Sequence, residues 1–255
     1  MARDLEEHLR PEIKITPFCA GCGHGILMGL ILRAVDDLGR DWREILFVSG
    51  IGCAAWIPSP HFRADTLHTL HGRAIPFATG AKLANPKLTT IVVSGDGDLT
   101  SIGGNHLIHA ARRNIDMTVI CANNMIYGMT GGQLASTTPV GMKTATSLGG
   151  NPYRPFDLQA LVKAAGAVYS CRYAVAQPLA VIDGIKKAIG VKGFSFVEVL
   201  SSCPAQYGRR NNLESPAAIL EMLRKRCVRK EDVDRIDPEK LKDLIVTGEF
   251  VNGDA

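Results

Sequence analysis

The chain has 255 residues, of which 46% are hydrophobic and 21% charged, with a net charge of +4. That balance suits one large buried core and excludes wholesale disorder; no apolar run of about 18 residues offers a membrane-spanning helix. The one concentrated basic run, 224–230 (RKRCVRK), lacks interleaved aromatics and any nucleic-acid motif, so no nucleic-acid partner is expected. It reads as a solvated helix end or, alternatively, as an attractor of an acidic partner protein.

In chain order, residues 1–15 are a polar lead-in without the apolar core of a secretory signal, which predicts a cytoplasmic protein. Residues 26–38 have helical period, closed by Gly39 as a C-cap. Residues 44–49 read as a buried strand, 58–74 as loop, 75–84 as a helix of small residues, 89–94 as a strand, 102–113 as a helix and 116–122 as a strand. Residues 125–156 show little regular pattern; a stretch of that length inside a domain is functional or mobile. A helix capped by Asp157 runs to residue 165, followed by a strand over 167–173, a helix over 179–189 and a strand over 194–200. Strands alternating with helices predict an α/β fold: a mostly parallel, doubly wound sheet in a single domain over 1–212, with ligands at the carboxyl ends of its strands. Residues 213–255 read as a polar helical extension.

Two stretches at such strand ends carry chemistry. Val92-Val93-Ser94 runs into Gly95-Asp96-Gly97-Asp98, and a second apolar strand ends in Asn123-Asn124, with Asn124 placed 28 positions after Asp96. An Asp and an Asn at the tips of neighbouring parallel strands offer the hard oxygens Mg²⁺ takes alongside phosphate oxygens, and the glycines let backbone N–H groups approach a diphosphate. Gly-Asp-Gly followed at this distance by Asn-Asn resembles the thiamine diphosphate signature; the bland alternative is an ordinary strand-to-turn Gly-Asp-Gly.

Seven cysteines in a cytoplasmic chain point to metal or redox chemistry rather than disulfides. Cys19 and Cys22 form a Cys-x-x-Cys pair at a loop-to-helix junction, while Cys53 and Cys203 each follow a strand. In a parallel sheet the two strand ends open on one edge, so four thiolates can converge on an iron–sulfur cluster or a structural zinc; the pair alone also fits a redox dithiol. Cys121, Cys171 and Cys227 read as packing or surface residues. His24 and His71 lie in glycine-flanked loops and are candidates to hydrogen-bond a diphosphate or substrate carboxylate, with His71 placed for proton transfer. His106 and His109, three apart on a helix, read as core or capping residues.

Between Glu44 and Glu198 there is no glutamate. Thiamine diphosphate enzymes use a carboxylate on the aminopyrimidine ring, so a chain binding that cofactor here is expected to receive it from another polypeptide, at a subunit interface.

Taken together, the stretches 18–25 (FCAGCGHG), 49–53 (SGIGC), 71–74 (HGRA), 95–98 (GDGD), 103–106 (GGNH), Asn123-Asn124, 127–133 (YGMTGGQ) and 203–208 (CPAQYG) resemble the β subunits of 2-oxoacid:ferredoxin oxidoreductases, nearest to the 2-oxoglutarate synthases, from about residue 12 to 212. The resemblance implies a thiamine diphosphate-binding fold and three cofactors: thiamine diphosphate, Mg²⁺ and a 4Fe–4S cluster. It implies Cys19, Cys22, Cys53 and Cys203 as cluster ligands, and Asp96, Asn124 and the Ile126 carbonyl as Mg²⁺ ligands. It further implies a thiamine site lined by His24, Ile51, Gly52, Cys53, Ala54, Gly95, Gly97, Asp98, Tyr127, Gly128 and Met129, with His71 near the substrate. An α subunit, ferredoxin, coenzyme A and a 2-oxoacid are the implied partners, the 2-oxoacid being 2-oxoglutarate, pyruvate or a branched-chain analogue. A non-redox thiamine decarboxylase and a zinc-stabilised binding subunit are the competing readings. Ala20, where the family commonly has Pro, is the main departure.

Overall fold

Each apolar run bounded by turn residues becomes a strand, and the helix-period segments between them cross over the sheet. The computed structural model describes residues 5–213 and 215–252. Its parallel strands are β1 (Ile45–Ser49), β2 (Asp65–His68), β3 (Thr89–Gly95), β4 (Met117–Asn123), β5 (Tyr169–Ala174) and β6 (Phe194–Leu200). The last two, β7 (Cys227–Arg229) and β8 (Ile245–Asn252), complete one eight-stranded sheet of order β2-β1-β3-β4-β6-β5-β8-β7. Every pairing is parallel except that of β5 with β8. Strands β4 and β6 are buried at every residue, as a strand covered on both faces must be.

Alternation along the strands sorts the core into two layers. Ile91, Val93, Ile120 and Ala122 face α1 (Gly23–Asp37) and α5 (Pro178–Gly190), packing with Leu27, Ile31, Val181 and Ile185. Val92, Val119 and Cys121 face α2 (Ala74–Ala84), α3 (Gly104–Arg112) and α4 (Leu158–Ala164), packing with Ile75, Ala78, Leu107 and Val162. The sheet is thus doubly wound, as expected. Gly39 follows α1 with φ +62°, the left-handed cap foreseen there, and the Asp157 carboxylate accepts from the Gln159 N–H at the start of α4.

The structure corrects three expectations. The stretch 58–74 is not all loop: Asp65–His68 forms β2, parallel to β1. Four residues, none buried, give an edge strand too short to show a pattern. Residues 102–103 do not belong to α3; Gly97–Ile102 forms a π-helical turn before it. The segment after residue 212 is not simply helical. It contains α6 (Pro216–Arg226) and α7 (Pro238–Leu241), but β7 and β8 return to the sheet and β8 covers the edge of β5. The basic run ends α6 and continues into β7 rather than ending at the helix. The first four residues of the polar lead-in, residue 214 and residues 253–255 of the extension lie outside the described residues.

One polar network crosses this packing. Glu198 in β6 is buried and accepts from Asn123 Nδ2 (2.8 Å), Gln159 Nε2 (3.1 Å) and Arg172 Nε (2.8 Å). Arg172 also donates to Asp157 Oδ1 (2.7 Å). Arg172→Met strips Glu198 of its only charge partner in this network and is expected to destabilise the chain by about 3 kcal/mol, read by urea denaturation; a loss below about 1 kcal/mol would contradict it.

Candidate active site

The carboxyl ends of β1, β3, β4 and β6 open on one edge of the sheet, and the expected residues meet there. A cleft of about 420 Å³ is lined by every expected site residue except Cys19, Cys22 and Cys203, with Thr130 added.

Asp96 ends the β3 turn at 1% exposure. Its Oδ1 accepts from the Asn124 N–H (3.3 Å) and its Oδ2 from the Thr137 hydroxyl, so β3, β4 and the irregular segment converge on one carboxylate. Burial pushes it up to about 6, opposed by the Thr137 and backbone donors. A buried carboxylate with no cationic side chain bonded to it among the described residues, beside a second oxygen donor, is chemically suited to a divalent cation. Asn124 supplies that oxygen: its Oδ1 accepts from the Ile126 N–H (3.2 Å) in a turn that carries Met125 at φ +64°. Each of these oxygens retains lone-pair capacity for a metal.

Gly97 brings the floor of the cleft against the Tyr127 ring. The Tyr127 hydroxyl donates to the Gly97 carbonyl (2.9 Å), and a Cβ at residue 97 would lie 2.5 Å from the ring. Gly97→Ala is therefore expected to displace Tyr127 and to weaken at least about tenfold the thiamine diphosphate binding that the sequence resemblance implies, measured by titrating the cofactor; unchanged affinity would refute the close packing.

Asp98 points the other way. Its carboxylate is buried and accepts from the Gly72 N–H (2.7 Å), the Ile51 N–H (3.2 Å) and Ser94 Oγ (2.6 Å). His71 Nδ1 lies 2.5 Å from Asp98 Oδ1, without the alignment of a linear hydrogen bond. His24, in the first turn of α1, is buried against Ser201 (Nδ1···Oγ 2.9 Å), and burial lowers it to about 4, so it is a neutral imidazole at pH 7.

Two of the four cysteines, Cys53 and Cys203, adjoin the cleft. A Cβ at Gly128 would stand 3.6 Å from both Cys53 Sγ and Cys203 Sγ, which places both sulfurs beside the cleft lining. The Cys19–Cys22 loop is spliced onto the end of β6: the Gly23 N–H donates to the Ser202 carbonyl (3.0 Å) and Ser202 Oγ to the Gly21 carbonyl (3.1 Å). Gly21 has φ +75°, and a Cβ there would strike Pro216 at 2.2 Å, so only glycine closes this splice. Burial pushes Cys22 up to about 12 and Cys53 up to about 11, and the neighbouring cysteines push the same way. Four thiols are a donor set that either an iron–sulfur cluster or a tetrahedral zinc takes.

Asp96 and Cys203 share a local device: each is followed at once by a π-helical turn, Gly97–Ile102 and Pro204–Gly208. The bonds Gly103 N–H to Asp98 carbonyl (3.0 Å) and Gly208 N–H to Cys203 carbonyl (2.9 Å) close wide turns that re-aim the chain at the sheet edge. Thr137, Ser94 and Ser201, which hold Asp96, Asp98 and His24, escaped sequence reasoning because a single hydroxyl carries no spacing signal. His106 and His109 lie on α3, outside the cleft lining.

Residues 50–199 match the family described as thiamine pyrophosphate enzyme, C-terminal TPP binding domain. The chain is 47% identical over 246 residues to the 2-oxoglutarate synthase subunit KorB of Methanothermobacter marburgensis, covering 96% of this chain and 86% of that protein. It is 40% identical over 196 residues to the 2-oxoacid:ferredoxin oxidoreductase subunit beta of Saccharolobus solfataricus, covering 76% and 64%. Among solved structures, the 2-oxoglutarate:ferredoxin oxidoreductase from Magnetococcus marinus, with 2-oxoglutarate, coenzyme A and succinyl-CoA bound, superposes with a TM-score of 0.86 at 31% identity, covering 100% of this chain and 86% of that one.

Proposed function

The chain belongs to the β-subunit family of the 2-oxoacid:ferredoxin oxidoreductases, and from that membership we propose its reaction: oxidative decarboxylation of 2-oxoglutarate to succinyl-CoA and CO₂, with two electrons leaving singly for ferredoxin. It is an oxidoreductase subunit with a thiamine diphosphate-binding domain. The observation that carries the reading is the meeting, at Gly128, of the cleft that contains Asp96 and Asn124 with the sulfurs of Cys53 and Cys203.

Thiamine diphosphate, when bound, supplies the electron sink for loss of CO₂. The chain's residues do the rest. Asp96, Asn124 and the Ile126 carbonyl hold Mg²⁺ against the diphosphate, and the glycines at 52, 95, 97 and 128 leave backbone within reach of it. His24, neutral and fixed by Ser201, offers a hydrogen bond rather than a charge. His71 faces the cleft and moves protons at the substrate end. Cys19, Cys22, Cys53 and Cys203 would hold the 4Fe–4S cluster, which would supply one-electron redox chemistry, and Cys53 belongs both to that set and to the cleft lining.

Two groups missing from the cleft point to the partner. Its lining contains no glutamate to serve the aminopyrimidine and no Arg or Lys to take the distal carboxylate of 2-oxoglutarate. Both are assigned to the α subunit, which makes substrate choice a property of the assembled enzyme. The deciding experiment is viologen reduction by the purified α–β complex with coenzyme A and, in turn, 2-oxoglutarate, pyruvate and 2-oxoisovalerate, alongside its visible spectrum. Preference for 2-oxoglutarate with an iron–sulfur chromophore is expected. Aldehyde formation without an electron acceptor, or zinc in place of iron, would overturn it.

A further inference from the structure

Asp98 lies in the cleft, yet its carboxylate turns away from the space a ligand would fill. Oδ1 takes the N–H groups of Gly72 and Ile51 and stands 2.5 Å from His71 Nδ1, while Oδ2 takes the Ser94 hydroxyl. These groups come from three separate stretches: the turn after β1, the turn after β2 and the end of β3. Room for the carboxylate is made by Gly50, where a Cβ would lie 2.0 Å from Oδ2.

The contact with His71 favours one tautomer: a carboxylate oxygen 2.5 Å from Nδ1 is stabilised by hydrogen on that nitrogen and repelled by a bare one, even where the N–H does not point straight along the contact. Nδ1 is buried, whereas the His71 side chain as a whole is 31% exposed and lines the cleft. The open edge of the ring therefore carries Nε2, the atom left free to accept or return a proton. The Gly72 N–H, bonded to the same Oδ1, locks the backbone beside the ring, and the Tyr127 ring meets it edge-on at 5.9 Å.

We propose that Asp98 is a positioning residue: it holds His71 in the Nδ1–H tautomer with Nε2 presented to the substrate end of the cleft, and does not itself bind the cofactor. This rests on the reading of His71 as the proton-transfer group. Asp98 then belongs with the residues that orient a catalytic imidazole, unlike Asp96 two positions earlier, which faces the cation.

The test uses the α–β complex. Asp98→Asn keeps the size and one acceptor oxygen and is expected to lower kcat about 100-fold at unchanged KM, as is His71→Asn. The double variant is expected within about threefold of His71→Asn alone, because Asp98 acts through that ring. Thiamine diphosphate affinity of Asp98→Asn is expected within about threefold of wild type. Losses that multiply in the double variant, or cofactor affinity that collapses in Asp98→Asn, would overturn the proposal. Nitrogen-15 spectra of histidine-labelled wild-type complex decide it without any variant: Nδ1–H with bare Nε2 at His71 supports it, and the Nε2–H tautomer refutes it. Should the wild-type complex oxidise no 2-oxoacid, the enzyme reading fails, while the tautomer and affinity measurements still decide the role of Asp98.

Discussion

Asp96→Asn is expected to cost the enzyme its cofactor while making the empty chain more stable. The functional loss follows from charge: the buried carboxylate is the one anionic ligand proposed for Mg²⁺, and without it retention of thiamine diphosphate should fall at least about 100-fold. The stability gain follows from the same burial. The folded value is about 6 against an ordinary 3.8, so the folded chain takes up the proton first as pH falls. Below 3.8 the carboxyl is neutral in both states and burial of charge costs nothing. Above about 6 the full penalty applies, and Asn escapes it while retaining an acceptor for the Asn124 N–H. In the absence of divalent cations, urea denaturation should therefore find Asp96→Asn about 2 kcal/mol more stable at pH 7.5 and no different near pH 3.5. A variant less stable than wild type at pH 7.5 would contradict the unpaired-charge reading, and one that retains stoichiometric cofactor would contradict the Mg²⁺ assignment.

Cys203→Ser is expected to remove the cluster and leave the thiamine site in place. Cys203 is buried just after β6, and a serine hydroxyl, far less acidic than a thiol, is a poor replacement for a thiolate ligand to iron. Iron content and visible absorbance should be lost, and reduction of viologen by 2-oxoacid should fall at least about 1,000-fold, because the electrons have no exit. Thiamine diphosphate affinity should change no more than about threefold, since the diphosphate ligands come from β3 and β4. Full iron content in this variant would end the four-cysteine assignment. In the isolated chain burial holds the Cys22, Cys53 and Cys203 thiols above their ordinary value, so cluster insertion must expel protons, and it should slow as pH is lowered.

Much of the fold was legible because strands buried on both faces write long apolar runs: β4 and β6 appear in the sequence within a residue of their observed bounds. The site was legible for a related reason. Its residues cluster at strand ends as Gly-x-Gly and Cys motifs, which the parallel topology then gathers onto one edge. What failed was whatever lacked a local pattern. The short strand β2 is held by pairing with β1 rather than by its own residues. Strand β8 owes its place to β5, whose edge it covers, and β7, three residues inside a run of charge, owes its place to β8. The hydroxyls of Thr137, Ser94 and Ser201 are defined by where long-range packing brings them. Asp98 is the clearest case: it lies inside the same four-residue motif as Asp96, and only the structure separates a carboxylate held by Asn124 and Thr137 from one facing a histidine.

The sheet order carries a consequence for how the protein is made. Strand β6 lies between β4 and β5, so the last parallel strand to leave the ribosome is a central one, and the edges of β4 and β5 stay unpaired until it arrives. Everything that lines the thiamine cleft has been synthesised by residue 130, whereas Cys203 follows β6 by three residues. At about 5–20 residues per second the nascent chain waits on the order of several seconds between the two. Closing the middle of the sheet and delivering the fourth cysteine are thus one event, and a chain stalled before residue 203 would hold the thiamine side of its site but neither a sealed core nor a complete set of ligands for iron.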